Sequence, residues 1–144
     1  MKKLIISFVV VFSITIIYVV FSQPKTGDDL GTITIQVVDQ SGELVINEEL
    51  IFDEEMSLYD LLQEEFEIAC GSASYTIDNT CAYASINGHI ILQIGEVSTD
   101  WYSSYLKIYI DDIDSNYGVD NVMLEDGVVY KFEYISLGGD GSWV

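Results

Sequence analysis

The chain has 144 residues, 49% of them hydrophobic and 12% aromatic, enough for one modest folded domain and too apolar for a wholly disordered polymer. Five basic residues, all lysine, face 24 acidic ones for a formal net charge of −19, which excludes a surface that tracks nucleic-acid phosphates. Composition narrows compartment and class and names no ligand.

At the N-terminus Lys2 and Lys3 precede eighteen uncharged residues, Leu4 to Phe21, interrupted by Ser7, Ser13 and Thr15. As a helix this stretch spans about 27 Å, close to the ~30 Å hydrocarbon core, whereas a cleaved signal carries roughly 7–15 apolar residues. Residues 1–22 are therefore expected to form a transmembrane signal anchor. A cleaved signal is the alternative, because Val20-Phe21-Ser22 before Gln23 loosely resembles a cleavage site. The positive-inside bias keeps Lys2 and Lys3 in the cytoplasm and sends the rest across, giving a single-pass cell-membrane protein with an extracytoplasmic domain, or a secreted one. Beyond residue 22 three lysines stand against all 24 acids, a net of −21. Anionic lipid is repelled by such a body, so the membrane contact is the helix alone.

Residues 23–31, with Pro24, Gly27, Asp28 and Asp29, read as a polar linker. Thr32 to Val38 alternates Ile33, Ile35 and Val37 against Thr34 and Gln36, the period of a half-buried strand. Asp39-Gln40-Ser41-Gly42 turns the chain into a second strand, Glu43 to Phe52, whose polar middle Asn47-Glu48-Glu49 suggests an edge or a bulge. Ser57 with Asp60 three residues on resembles a capping box, and Leu58, Leu61, Leu62 and Phe66 recur at helical spacing through Glu67. From Gly71 the chain is rich in Ser, Thr and Asn. Short strands are expected around Tyr83 to Ile86 and Ile90 to Ile94, with Asn87-Gly88 as a tight turn between them. Tyr105 to Ile110 and Val128 to Ile135 alternate again, with Lys107 and Lys131 on solvated faces suited to cross-strand charge pairing. A hairpin, a helix across it and further strands make an α+β fold: a mainly antiparallel sheet with one packed helix.

Several of these pieces, in order, resemble a family: the exported, transcobalamin-C-terminal-like domains of bacteria, whose fold is related to the β-grasp. Tyr83-Ala84-Ser85-Ile86-Asn87-Gly88 is similar to the family's short strand before its Asn-Gly turn, and Asp100-Trp101-Tyr102 with Leu106 to Ile110 to its Trp-led aromatic strand. Tyr117-Gly118-Val119-Asp120, Leu124-Glu125-Asp126-Gly127 and Tyr130-Lys131-Phe132-Glu133-Tyr134 resemble its closing hairpin. The resemblance covers residues 32–135 and leaves 136–144 as a Gly-rich tail. It departs at Asp111-Asp112, where the family usually has Asn-Gly. The resemblance implies a β-grasp-like fold and binding rather than catalysis: in transcobalamin this domain is the smaller half of a clamp that closes on a corrinoid held by a helical domain. No such helical half is read in these residues.

The residues themselves also point away from catalysis. There is no Arg, a single His, no Gly-x-Ser-x-Gly and no phosphate-binding loop ending in Gly-Lys. A Cys-His enzyme would pair Cys70 or Cys81 with His89 and stabilise an oxyanion in a strongly negative field. No enzyme, cofactor or metal is expected. Cys70 and Cys81, outside the cytoplasm, are expected to form a disulfide around a Ser/Thr-rich loop, with two buried thiols as the alternative. His89, beside Asn-Gly, reads as a surface turn residue rather than a metal ligand. Asp112-Ile113-Asp114-Ser115-Asn116 alternates oxygen side chains as a calcium loop does. Tyr117 and Met123, however, occupy the positions that need Gly and Glu, so a solvated loop is favoured.

The expected function is a tethered, non-catalytic binding module for a corrinoid-like small molecule or a peptide segment. The alternative is a structural or adhesive domain that meets a surface protein through a sheet edge. Candidate ligand-binding residues are Trp101 and Tyr102 at the head of the aromatic strand and Tyr75 in the loop that could cover them, with core packing of Trp101 as the competing reading. A pocket lined by aromatics favours the first function and a flat strand edge the second.

Overall fold

The computed structural model describes residues 30–53, 55–100 and 102–138. The expected anchor, most of the linker and the last six residues lie outside them, and among the described residues no helix is long and apolar enough to cross a membrane.

Strands β1 (Leu30–Val38) and β2 (Leu44–Asp53) form the antiparallel hairpin that their alternation predicts. β1 begins two residues inside the expected linker, with Gly31 opposite Phe52. The turn between the strands is closed by Asp39, whose Oδ1 accepts from the Ser41 N–H, the Ser41 hydroxyl and the Glu43 N–H. Helix α1 (Leu58–Glu65) starts in a complete capping box: Ser57 Oγ accepts from the Asp60 N–H, and Asp60 accepts from the Ser57 N–H. The helix stops short of the expected Glu67. Phe66 turns extended, no basic residue stands in the last turn, and Glu64, Glu65 and Glu67 crowd the negative end of the dipole.

The chain then enters β3 (Ile68–Gly71), every residue of it buried. This strand and the short β4 (Ile77–Asp78) and β6 (Val97–Ser98) were not legible as alternation, since a strand buried on both faces has none and a two-residue strand is too short to show a period. β5 (Ile91–Ile94) joins them in a second sheet of order β4-β3-β5-β6. The strand expected at Tyr83 to Ile86 is absent. Ser85 and Gly88 exchange backbone hydrogen bonds across Ile86-Asn87, and β5 pairs with β3 and β6 instead.

β7 (Ser104–Ile110), β8 (Ile113–Asp114) and β9 (Val129–Ser136) complete a first sheet of order β2-β1-β9-β7-β8. All its pairings are antiparallel except β1 with β9, which run parallel in a register from Thr34↔Val129 to Val38↔Glu133. The Asp111-Asp112 turn has positive φ at both residues, 49° and 64°, as a type I′ hairpin requires. Three external bonds hold it: Asp111 donates its N–H to the Val129 carbonyl and accepts from the Val129 N–H, and Asp112 pairs with Lys131 at 2.7 Å.

Leu58, Leu61 and Leu62 of α1 join Ile33, Ile35, Val37, Tyr130 and Phe132 of the first sheet and Cys70, Ile91 and Ile94 of the second in one core. The arrangement is α+β, two mainly antiparallel sheets sharing one helix, where the sequence suggested one sheet. Cys70 and Cys81 are bonded, with their Cα atoms 5.0 Å apart.

Two stability outcomes follow. Phe132→Ala, emptying a fully buried site, should cost about 3–5 kcal/mol in urea unfolding, whereas Ile51→Ala at a 67% exposed position should stay within about 0.5 kcal/mol. Reduction of the disulfide should cost somewhat under ~3 kcal/mol, because the closed loop is short.

Candidate functional site

A cleft of about 290 Å³ lies at one end of the β1/β9 pair. Asp39, Gln40 and Val45 reach it from the first hairpin, Glu96 from the β5–β6 turn, and Val97 and Ser98 from β6. Tyr134 completes the lining, because the parallel register that sets Val38 beside Glu133 carries the next residue of β9 alongside Asp39. The two turns are fixed independently. Asp39 is locked by the three bonds to its Oδ1, and the Gly95 turn is held by its N–H to the Glu67 carbonyl and by Gln93 Nε2 to its own carbonyl.

The bond from the Ser41 hydroxyl, then those from the backbone, holds the Asp39 carboxyl below the usual carboxylate range, so it stays ionised at neutral pH. With Glu96 across the opening, the cleft disfavours anions and suits neutral polar or cationic groups set against Val45, Val97 and the Tyr134 ring. Its volume sits at the lower end of small-molecule pockets, roughly 300–1,000 Å³. It can seat one group of a large ligand and cannot enclose the whole.

Two of the aromatic residues expected to bind, Tyr75 and Tyr102, do not line this cleft. Tyr102 is 76% exposed in the turn after β6, close to the Ser104↔Ser136 pair. Its N–H and those of Ser103 and Ser104's neighbour Asp100 are drawn into a turn in which Asp100 accepts from Tyr102 and Ser103 and donates to Ser104 Oγ. Tyr75 is 58% exposed in the β3–β4 connection, at φ 60°. The order β4-β3-β5-β6 places the Tyr75 and Tyr102 connections on opposite sides of β5. Trp101 lies outside the described residues.

His89 is not the surface turn residue the sequence suggested. Its side chain is only 16% exposed, stacked on Tyr59 with ring centroids 3.9 Å apart, and Asp120 takes both its N–H and Nδ1 at 2.6 Å. Burial, then Asp120 and Asp60, push the Tyr59 hydroxyl up. This knot pins the 85–88 turn to α1 and to the 3₁₀ turn Val119–Asn121. Gly88 is required there: at φ 96° an added Cβ would sit 2.3 Å from an Asp120 oxygen. The calcium-like string disperses, since Asp112 pairs with Lys131 and Asp114 with Lys107 at 2.6 Å.

The cleft residues were missed because they come from three segments with no shared motif. Only the Asp39-Gln40-Ser41-Gly42 turn carried a signal, and it read as a connection.

No family model and no curated protein sequence matches this chain. Solved structures do. A proposed metal-binding protein from Ruminococcus gnavus ATCC 29149 aligns with a TM-score of 0.55 at 17% identity, over 74% of this chain and 97% of that one. Haptocorrin in complex with Cbi aligns with a TM-score of 0.56 at 8% identity, over 80% of this chain and 27% of haptocorrin. At such identities the likeness shows the fold, and the fold is the transcobalamin-like one.

Gly88→Ala should destabilise by more than about 1 kcal/mol in chemical unfolding, through positive φ and the clash with Asp120 together. A pH series should show a second effect. Asp39, Asp60, Asp78 and Asp100 are all held below their ordinary value of 3.8, chiefly by hydroxyl donors. Their contribution is complete above that value and is lost as pH falls through the lower folded ones. The melting temperature should therefore drop between about pH 4 and pH 2, and a flat profile there would contradict the assignment.

Proposed function

We propose that this chain is a non-catalytic binding module, tethered outside the cytoplasm by its N-terminal apolar segment, that engages a corrinoid-like small molecule or a peptide segment at the cleft between its two hairpin turns. One observation carries the reading: 80% of the chain shares its fold with haptocorrin, whose structure holds Cbi. The cleft supplies a fixed carboxylate, a phenol and apolar walls, the sparse polar set on an apolar lining that small-molecule sites use. A ligand of corrinoid size would lie across its mouth with one substituent inserted.

The non-catalytic part rests on the candidate nucleophiles and bases. Both cysteines are consumed in the disulfide, and the His89 imidazole is engaged by Asp120 and Tyr59. Among the described residues no three His, Cys, Asp or Glu side chains converge as metal ligands would. Tethering is supported by Lys2, Lys3 and the apolar run from Leu4 to Phe21.

Calorimetric titration of the full chain in detergent with Cbi should give saturable heat, and Tyr134→Ala should weaken it at least tenfold. Absence of heat at a ligand concentration of about 1 mM would reject corrinoid binding. Alkaline carbonate extraction should leave the protein in the membrane pellet. Its release with Gln23 at the N-terminus would show a secreted form.

A further inference from the structure

The first sheet ends on one side in β2, ten residues from Leu44 to Asp53 that pair only with β1 among the described strands. The other outer strands of both sheets, β8, β4 and β6, are two residues each. A long open edge presents a row of backbone donors and acceptors ready to pair with another strand. On β2 the side chains along that row follow a definite order. Leu44 and Val45 are exposed at one end and Ile51 at the other, with Glu48 and Glu49 exposed in the middle. Neither glutamate takes part in an ion pair among the described residues, where Lys107 and Lys131 are already matched to Asp114 and Asp112.

A second copy of this chain is a poor occupant. Full antiparallel overlap of Leu44–Asp53 with itself places Glu48 opposite Glu49 twice, at the centre of the ladder and between two bodies of large negative charge. The same centre matches an extended segment with two adjacent basic residues flanked by apolar or β-branched ones.

We propose that β2 is a strand-addition site for an extended peptide segment of another protein, with a Lys-Lys or Arg-Arg centre and apolar flanks. Backbone ladder bonds supply the affinity, Glu48 and Glu49 set register and partner choice, and Val45 and Ile51 meet the flanking side chains. The two acids also keep the edge from pairing with itself, so one pair of residues excludes self-association and admits the cationic partner. This site touches the cleft only at Val45, and because peptide pairing is read along the β2 backbone and Cbi binding at Tyr134, either proposal can fail without the other.

The test uses the full chain and an eight-residue probe, acetyl-Ile-Thr-Val-Lys-Lys-Val-Thr-Val-amide. Three copies of it serve as controls: two N-methylated at alternate residues, one for each alternation, and one with Glu in place of both Lys. The unmodified probe should bind, slow amide exchange at residues 44–53, and bind at least tenfold more tightly than one N-methylated copy, since the ladder uses one alternating set of amides. The acidic copy should not bind. Glu48→Lys with Glu49→Lys, on an exposed strand that keeps its circular-dichroism spectrum, should reverse this preference and take the acidic copy. Equal binding of both N-methylated copies and the probe would show attraction of a polycation to a polyanion and overturn the proposal. Absence of binding, or amide protection elsewhere than β2, would overturn it as well.

Discussion

The parallel pairing of β1 with β9 is the constraint on which the rest of the structure depends. It joins the first and last strands described, so the whole intervening chain must cross from one to the other before the sheet can close. Loop-closure entropy opposes such a contact, and the return comes only when Ile33, Ile35 and Val37 on one strand and Tyr130 and Phe132 on the other reach the same buried face. β1 then builds outward by a tight hairpin to β2, cheap in chain entropy, whereas β9 meets β7 across the longer segment from Asp111 to Val128 that carries β8 and the 3₁₀ turn. The helix and the second sheet cover the apolar face that the pair creates. Tyr130 illustrates the fit required: its ring is buried, while its hydroxyl donates to the Met123 carbonyl and accepts from the Glu125 N–H, so no polar atom is stranded. The cleft follows from the same register, because it forms where the two strands run out together.

Legibility in the sequence tracked locality. The first hairpin, the capping box at Ser57 and the aromatic strand are encoded within short windows, and period-two alternation or capping chemistry exposes each of them. The parallel pairing has no such window. Neither has β3, buried on both faces, nor the second sheet, whose remaining strands are too short to show a period. His89 was misread for the same reason. Its neighbours Asn87-Gly88 mark a turn, but what holds the ring, Tyr59 and Asp120, lies 30 and 31 positions away in opposite directions along the chain. Of the candidate site, the sequence pointed to large exposed aromatics, and Tyr75 and Tyr102 are exposed. The cleft instead draws on residues whose individual identities are unremarkable and whose position depends on two turns meeting.

The acidity of the chain divides into two populations once its bonds are known. One set of aspartates works as local connectors. Asp39, Asp60, Asp78 and Asp100 accept from backbone N–H and hydroxyl groups within four residues, Asp111 and Asp126 bind strand amides at Val129 and Thr32, and Asp120 fastens His89. These are short side chains at turns, where the carboxylate replaces the partner a strand or helix would have supplied. The glutamates contribute little of this kind; Glu48 and Glu49 stand exposed on β2, and Glu64 and Glu65 at the end of α1. Solubility explains the second population and not the first.

That division bears on how a body with net charge −19 can bind anything. A structural aspartate cannot be surrendered to a ligand without loosening its turn, so the negative charge available for recognition is smaller than composition implies. Asp39 occupies an intermediate position: its three bonds all fall on Oδ1, so the group is fixed and ionised while Oδ2 carries none of them. A carboxylate immobilised in this way needs little further ordering when a partner arrives, and preorganisation of that kind is where binding sites gain most over flexible surface charge. Glu48 and Glu49 reach a similar condition differently, through a paired strand that fixes their spacing and leaves their side chains in solvent. Long-range attraction of cations comes from the whole molecule, and selection among them falls to the few acids whose positions the fold has set.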